Sequence, residues 1–117
     1  MDVAVPLSQY SEIVAFAREE VKDLVAYIFG HAGDGNVHVV VMDNPEDKER
    51  WARVEEANRK IVFKALDLEG TCTGEHGVGI GKCSFLKKEH GESLALMQRI
   101  KALLDPKGLM NPGKFFV

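Results

Sequence analysis

The sequence predicts an α+β fold in which helices pack on one face of an antiparallel β-sheet. Three observations support this prediction. Apolar residues recur at helical spacing in three stretches, two runs rich in β-branched and aromatic residues enclose a turn-prone segment, and a short alternating run opens the chain. The 117 residues have the length of one domain, and we treat residues 1–117 as such.

The first predicted elements are a short strand and an amphipathic helix. Residues 2–6 alternate weakly, which indicates a strand, and Ser8 is a residue type that caps helices. Apolar side chains then recur every three or four residues with charged residues between them, which predicts a helix with one buried face. The buried face is expected to consist of Val14, Ala17, Val21 and Leu24.

A β-hairpin is expected next. The segments VAYIFGHA and VHVVVM are rich in strand-forming residues and enclose GDGN. If Asp34 and Gly35 are the two turn residues, His31 lies directly opposite His38, and paired positions bring Cβ atoms to about 4.5–5.5 Å. Because both faces of the hairpin carry apolar residues, we expect both to be covered and the histidines to lie in a partly dry pocket.

The second half of the chain is mostly helical in pattern. Residues 44–47 (Asn-Pro-Glu-Asp) are typical of a helix start, and the apolar stripe that follows extends as far as Gly70, a suitable stop. Residues 71–73 have strand character and precede a glycine-rich loop. A short helix is predicted over residues 84–90, and a last helix through residues 94–104 ends at DPKG.

The composition excludes several classes of protein. Hydrophobic residues make up 45% and charged residues 28%, as in soluble globular domains, and the net charge of −3 argues against nucleic acid as a partner. No apolar run approaches the roughly 20 residues of a membrane span, and no signal peptide is visible. Cys72 and Cys83 form no CxxC pair and are expected to be reduced thiols. The abrupt opening strand suggests a piece of a longer chain.

Two clusters could carry chemistry. The first is the pair His31 and His38, which could hold one metal ion if the hairpin brings them together, although a lone H-x6-H is more often a polar turn with hydrogen-bonded histidines. The second is GEHGVGIGK, in which Glu75 and His76 could supply a metal ligand and a base, or could be exposed residues of a glycine-rich connector. A phosphate-binding loop is disfavoured because the P-loop spacing is absent. His90 is expected on a solvated charged face.

Three segments together resemble a known family. In order along the chain, GHAGDGNVH, GTCTGEHGVGIGK and LDPKGLMNPGKFF resemble the C-terminal domain of FAD-linked oxidases of the vanillyl-alcohol oxidase type. This group includes D-lactate dehydrogenases, glycolate oxidases and D-2-hydroxyglutarate dehydrogenases, and GTCTGEHG is most similar to the cytochrome-type D-lactate dehydrogenases. The resemblance covers nearly the whole chain and implies the substrate (cap) domain, with ferredoxin-like elements and an incomplete sheet.

The resemblance also implies roles for individual residues. His31, His38 and Glu75 would hold a divalent metal, zinc or manganese, His76 would be the general base, and Asn111 would contact the flavin. The position two residues after His38 is an asparagine that holds substrate in the 2-hydroxyglutarate enzymes. Here it is Val40, which favours lactate, glycolate or another small or apolar 2-hydroxy acid.

The expected activity is therefore that of a flavin-dependent D-2-hydroxy-acid dehydrogenase. The FAD-binding domain is not in this chain, so the isolated chain should be inactive. A cytochrome or quinone would accept the electrons, and the full-length enzyme would be cytoplasmic in bacteria or mitochondrial. An exposed sheet surface could lead the chain to self-associate. The alternative is a stand-alone metal-binding or interaction domain with the same fold and no redox activity.

Overall fold

The computed structural model describes residues 1–116 and divides into two compact units. The first unit, Met1–His76, contains strands β1 (Asp2–Ala4), β2 (Ala26–His31) and β3 (Asn36–Val41) and helices α1 (Tyr10–Glu20) and α2 (Lys48–Asp67). The second unit begins at Gly77 and contains helices α3 (Leu86–His90) and α4 (Ser93–Leu104). The α+β prediction is confirmed. None of the helices within residues 1–116 is long and apolar enough to span a bilayer.

The sheet of the first unit has a ferredoxin-like arrangement. Its strand order is β1-β3-β2, and β3 is antiparallel to both neighbours. An antiparallel bridge joins Ala4 to Thr71 on the outer side of β1, where the fourth strand of a ferredoxin-like sheet would lie. The strand character expected at residues 71–73 is thus reduced to a single bridge.

One face of the sheet forms the core and the other is open. Val3, Val37 and Val39 are at most 1% exposed and pack with the two helices. The buried helix residues are Ile13 and Ala17 of α1 and Val54, Ala57, Ile61, Val62 and Ala65 of α2. On the opposite face Tyr27 and Phe29 are 63% and 57% exposed. The expectation that both faces of the hairpin are covered is therefore wrong for residues 1–116, since both helices of this unit lie on the same side.

The register of the hairpin also differs from the prediction. Phe29 pairs with His38, and His31 pairs with Asn36, so a four-residue loop replaces the expected two-residue turn. The loop contains a 3-10 turn and ends at Gly35, whose φ is +74°. Because the shift is an even number of residues, His31 and His38 remain on one face. They are diagonal neighbours, not direct partners.

Two helix ends differ from the expected ones. Ser8 lies in a 3-10 turn, Leu7–Gln9, and α1 begins at Tyr10 without a side-chain cap. The second difference is at the start of α2, which was expected at residues 44–47 and begins at Lys48. Asp47 caps its first turn, because its side chain accepts a hydrogen bond from the Arg50 amide.

The end of α2 is a Schellman-type cap built without a left-handed glycine. Glu69 adopts the left-handed conformation (φ +60°), and the amides of Glu69 and Gly70 donate to the carbonyls of Leu66 and Ala65. Gly70 serves close packing instead, because a Cβ there would lie 2.2 Å from the Ala4 carbonyl oxygen.

The second unit confirms the two predicted helices. Residues 84–90 lie in a 3-10 turn, Cys83–Phe85, followed by α3, and α4 spans the last apolar stripe. The segment after α4 is held by Asp105, whose carboxylate accepts from the amides of Leu109 and Met110 and pairs with Lys101. The hydrogen bond from Lys101, helped by the two amides, lowers the pKa of Asp105 to about 2.

Candidate metal centre

The polar residues of the first unit collect at one end of the open sheet face. His31 is the last residue of β2 and His38 is in the middle of β3. The loop that carries Glu75 and His76 approaches the same face after α2. The side chain of His38 is 8% exposed, whereas those of His31 and Glu75 are 58% and 48% exposed. The cluster thus has a buried floor and a solvent-accessible rim.

Three donor atoms converge at this point. Oε1 of Glu75 lies 3.1 Å from Nε2 of His38 and 3.3 Å from Nε2 of His31. One ligand atom from each of the three residues lies within 4.8 Å of the others. Metal bonds to imidazole nitrogen and carboxylate oxygen are about 2.0–2.2 Å long, so two ligand atoms on one ion are about 3–3.5 Å apart. The two distances from Glu75 to the histidines are of this size, so the three residues form a candidate donor set for a divalent cation.

His76 lies beside this set. Its Nε2 is 3.6 Å from Oε1 of Glu75, its ring centroid is 5.2 Å from that of His38, and its side chain is 66% exposed. A neutral imidazole at the solvent-facing edge of a metal site can accept a proton from a molecule bound there. The structure therefore brings His31, His38, Glu75 and His76 together, as expected from the sequence.

Asp2 belongs to the cluster and was missed in the sequence. It is 5% exposed and pairs with His38 across β1 and β3. Its Oδ1 lies 3.4 Å from Nδ1 of His38, and its Oδ2 accepts hydrogen bonds from the amides of Glu75 (3.1 Å) and His76 (3.2 Å). No local motif surrounds Asp2, so only the strand register could have revealed it.

Asn36 and Gly74 complete the floor of the site. The side-chain amide of Asn36 donates to Oδ1 of Asp2 at 3.0 Å. Gly74 lies so close to this pair that a Cβ would be 2.0 Å from Nδ2 of Asn36 and 2.1 Å from Oδ1 of Asp2. A glycine is needed here because the loop backbone lies directly against the buried polar pair. Asn36, expected only as a turn residue, is thus also a structural part of the site.

Asn111 lies in the second unit. It has a left-handed backbone (φ +47°) and lines a groove of about 400 Å³ together with Met97, Lys101, Met110, Lys114, Phe115 and Phe116. The two lysines and two phenylalanines make this groove both apolar and cationic. The flavin contact expected for Asn111 stays a prediction.

Comparison with known proteins identifies the family. The family model described as FAD linked oxidases, C-terminal domain, matches residues 1–115. The chain belongs to this family. The resemblance inferred from the three sequence segments is therefore confirmed, and the α+β unit is the fold of an FAD-linked oxidase C-terminal domain.

Curated relatives of this FAD-linked oxidase domain include dehydrogenases and oxidases. The chain is 47% identical to a mitochondrial D-lactate dehydrogenase [cytochrome] of Arabidopsis thaliana, over 97% of the chain and 20% of the relative. It is 45% identical to that of Saccharomyces cerevisiae, over 98% of the chain and 20% of the relative. It is 40% identical to the GlcD subunit of glycolate oxidase from Bacillus subtilis, over 98% of the chain and 25% of the relative. The chain thus spans about a fifth to a quarter of the length of these relatives.

Proposed function

We propose that this domain is the substrate-orienting part of a flavin-dependent D-2-hydroxy-acid dehydrogenase that converts D-lactate or glycolate to the 2-oxo acid. The observation that carries the proposal is the convergence of His31, His38 and Glu75 on one point at metal-ligand separations. The names of the relatives, which are D-lactate dehydrogenases and a glycolate oxidase component, support the substrate class.

His31, His38 and Glu75 would hold a divalent cation, zinc or manganese. When bound, this cation would polarise the hydroxyl and carboxylate of the substrate and so favour loss of the hydroxyl proton. Two imidazoles and one carboxylate leave coordination positions open, which is typical of catalytic sites, whereas structural sites are closed by four protein ligands. The exposed rim formed by His31 and Glu75 leaves room for a small acid to enter.

His76 would act as the general base. Its Nε2 faces the Glu75 carboxylate at the rim, so a hydroxyl group oriented by the three-residue set would lie near an imidazole able to take its proton. The α-hydrogen would leave with its electron pair to FAD, held mainly by another part of the longer protein, with Asn111 as a flavin-side contact. A cytochrome or quinone would then reoxidise the flavin.

The surface next to the site suits a small or apolar substrate. Val40 is two residues beyond His38 on the same face, and Phe29 packs its ring 5.2 Å from the ring of His38. None of Val40, Phe29 and Tyr27 carries a charge that could bind a second carboxylate. This surface favours lactate or glycolate over a dicarboxylic 2-hydroxy acid.

The relatives include mitochondrial enzymes and a bacterial one, so we infer a mitochondrial or bacterial cytoplasmic location.

The roles of the ligands and of the base can be tested separately in the full-length protein. The double variant His31→Ala/His38→Ala should lose bound zinc or manganese, measured by elemental analysis after gel filtration. His76→Asn should retain the metal but slow flavin reduction by D-lactate about 10²–10⁴-fold. His90→Asn, a histidine beside Glu89 in the second unit, is the matched control and should change neither. Equal metal content in wild type and double variant would contradict the ligand assignment, and a normal reduction rate in His76→Asn would exclude the base.

A stand-alone metal-binding or interaction domain is the second candidate. It is favoured by one observation: all three donor residues lie within the compact unit Met1–His76. A full-length protein that binds the metal but shows no bleaching of flavin absorbance with D-lactate, glycolate or other 2-hydroxy acids would support this candidate over the dehydrogenase.

A further inference from the structure

Asp2 connects the two halves of the candidate site. One half, His38, is on β3, and the other half, Glu75 and His76, is on the loop after α2. The carboxylate of Asp2 lies between them, with Oδ1 toward Nδ1 of His38 and Oδ2 toward the two loop amides. A single side chain thus contacts both the strand half and the loop half.

The position of Asp2 is set by the sheet. It pairs directly with His38 in the β1–β3 register, while the next residue, Val3, faces the core on the other side. Asn36, two residues before His38 on β3, donates to the same Oδ1 that faces the imidazole. The strands therefore hold the carboxylate at a fixed place relative to the ring, without the entropy of a long flexible side chain.

The two nitrogens of His38 face different groups. Nε2 points to Glu75 at 3.1 Å, within the donor set, and Nδ1 points to Asp2 at 3.4 Å. Histidine ligands usually donate their second ring N–H to a carboxylate or carbonyl, which fixes the tautomer and the ring orientation. Asp2 has the chemistry and the burial required for this role, and its Oδ1 lies 3.4 Å from Nδ1 of His38.

We propose that Asp2 is the positioning residue of the metal centre. It keeps Nε2 of His38 available to the cation by accepting the Nδ1 hydrogen, and it holds the loop so that Glu75 meets the two histidines. The inference rests on the proposed metal site. It adds a residue that touches neither the cation nor the substrate and acts through His38, Glu75 and His76.

The test compares three variants of the full chain in zinc titration calorimetry. Asp2→Asn keeps the shape of the side chain but removes its charge and replaces one acceptor oxygen with a donor, so the dissociation constant for Zn²⁺ should rise about 10–100-fold. Asp34→Asn removes the same negative charge from a side chain in the exposed hairpin loop and should leave the dissociation constant for Zn²⁺ unchanged. Val3→Ala destabilises the same strand from its core face and should lower the unfolding midpoint without changing zinc affinity.

Two spectroscopic readouts separate positioning from general destabilisation. In the zinc complex, the ¹⁵N shifts of His38 should assign the metal to Nε2 and the hydrogen to Nδ1. Without metal, the amides of Glu75 and His76 should exchange with solvent more slowly in wild type than in Asp2→Asn, because their acceptor is the carboxylate. If Asp2→Asn does not fold, wild type alone still tests the proposal: the amides of Glu75 and His76 should be protected from exchange, and unprotected amides or zinc on Nδ1 would overturn it.

The outcomes distinguish this inference from the proposed function. If wild type fails to bind zinc or manganese, the metal site itself is wrong and the positioning role falls with it. If wild type binds zinc and Asp2→Asn binds it equally well, the metal site stands and the role of Asp2 is refuted. Weaker binding in Asp2→Asn together with unchanged binding in Asp34→Asn and Val3→Ala supports it.

Discussion

Replacing Gly74 with alanine should disrupt the site by adding a single methyl group. The new Cβ would lie 2.0 Å from Nδ2 of Asn36 and 2.1 Å from Oδ1 of Asp2, well inside the ordinary contact distance of 3.4–4 Å. Both neighbours are buried, short side chains joined by a 3.0 Å hydrogen bond. They can yield only if this hydrogen bond breaks or the loop that carries Glu75 moves away from the sheet.

The expected cost follows from these two routes. Overpacking a buried site costs about 1–3 kcal/mol, and losing a hydrogen bond to a charged group costs about 1.5–3 kcal/mol. Since relaxation of the loop recovers part of the sum, we expect Gly74→Ala to lower the free energy of unfolding by about 3 kcal/mol. Zinc affinity should fall as well, because Glu75 is the next residue along the chain.

Urea unfolding followed by Trp51 fluorescence measures the effect, because Trp51 lies on α2 in the same compact unit. Gly33→Ala is the matched control. Gly33 lies in the hairpin loop with no atom within 4 Å of its Cβ position, so alanine there should be neutral or stabilise by up to about 1 kcal/mol. If the two variants differ by less than about 0.5 kcal/mol, within the range of ordinary surface substitutions, the close-approach argument is refuted.

Three further predictions concern other parts of the chain. Because the pKa of Asp105 is lowered to about 2 by Lys101 and two backbone amides, its stabilising effect should be complete above its ordinary value of 3.8 and lost as the pH falls toward 2. Circular dichroism should therefore show that Asp105→Asn is less stable than wild type at neutral pH. The stability curves of the two proteins against pH should converge near pH 2, and curves that stay apart would contradict the prediction. Glu69→Gly should stabilise the chain by about 1 kcal/mol in urea unfolding, because glycine adopts the left-handed conformation without a Cβ penalty, and a loss of stability would contradict this. Phe29→Lys should reduce any concentration-dependent self-association seen by sedimentation, because Phe29 is 57% exposed on the open sheet face, and an unchanged association constant would exclude that face as the contact.

Local patterns were sufficient to predict most elements of the fold. The helical stripes locate α1, α2 and α4, because an amphipathic face is encoded in residues three and four apart. The first stripe was only partly right, since α1 buries Ile13 and Ala17 and ends at Glu20, before Val21 and Leu24. The alternation of side chains along each strand was sufficient to place His31 and His38 on one face, even though the predicted register was wrong.

Long-range contacts determined the features that the sequence did not reveal. The hairpin loop is held from β1, since the amide of Val5 donates to the carbonyl of Gly35 and a Cβ at Gly35 would lie 2.0 Å from the Val5 oxygen. The turn therefore depends on a segment thirty residues earlier in the chain, whereas turn preferences take account only of the residues within the turn. The same is true of Asp2, whose role depends on the β1–β3 register.

Asp2 and Glu75 are 73 positions apart along the chain, and this separation would link affinity for the proposed metal to folding. The donors on the strands and the donor on the loop meet only after β1, β2, β3 and α2 have assembled, so the unfolded chain offers isolated donors in place of a site. A cation that binds only the folded chain adds about 2.7 kcal/mol to the free energy of unfolding at a hundred times its dissociation constant. The thermal midpoint of the chain should thus rise with zinc concentration, so that the cation would protect the folded domain as well as complete the proposed site.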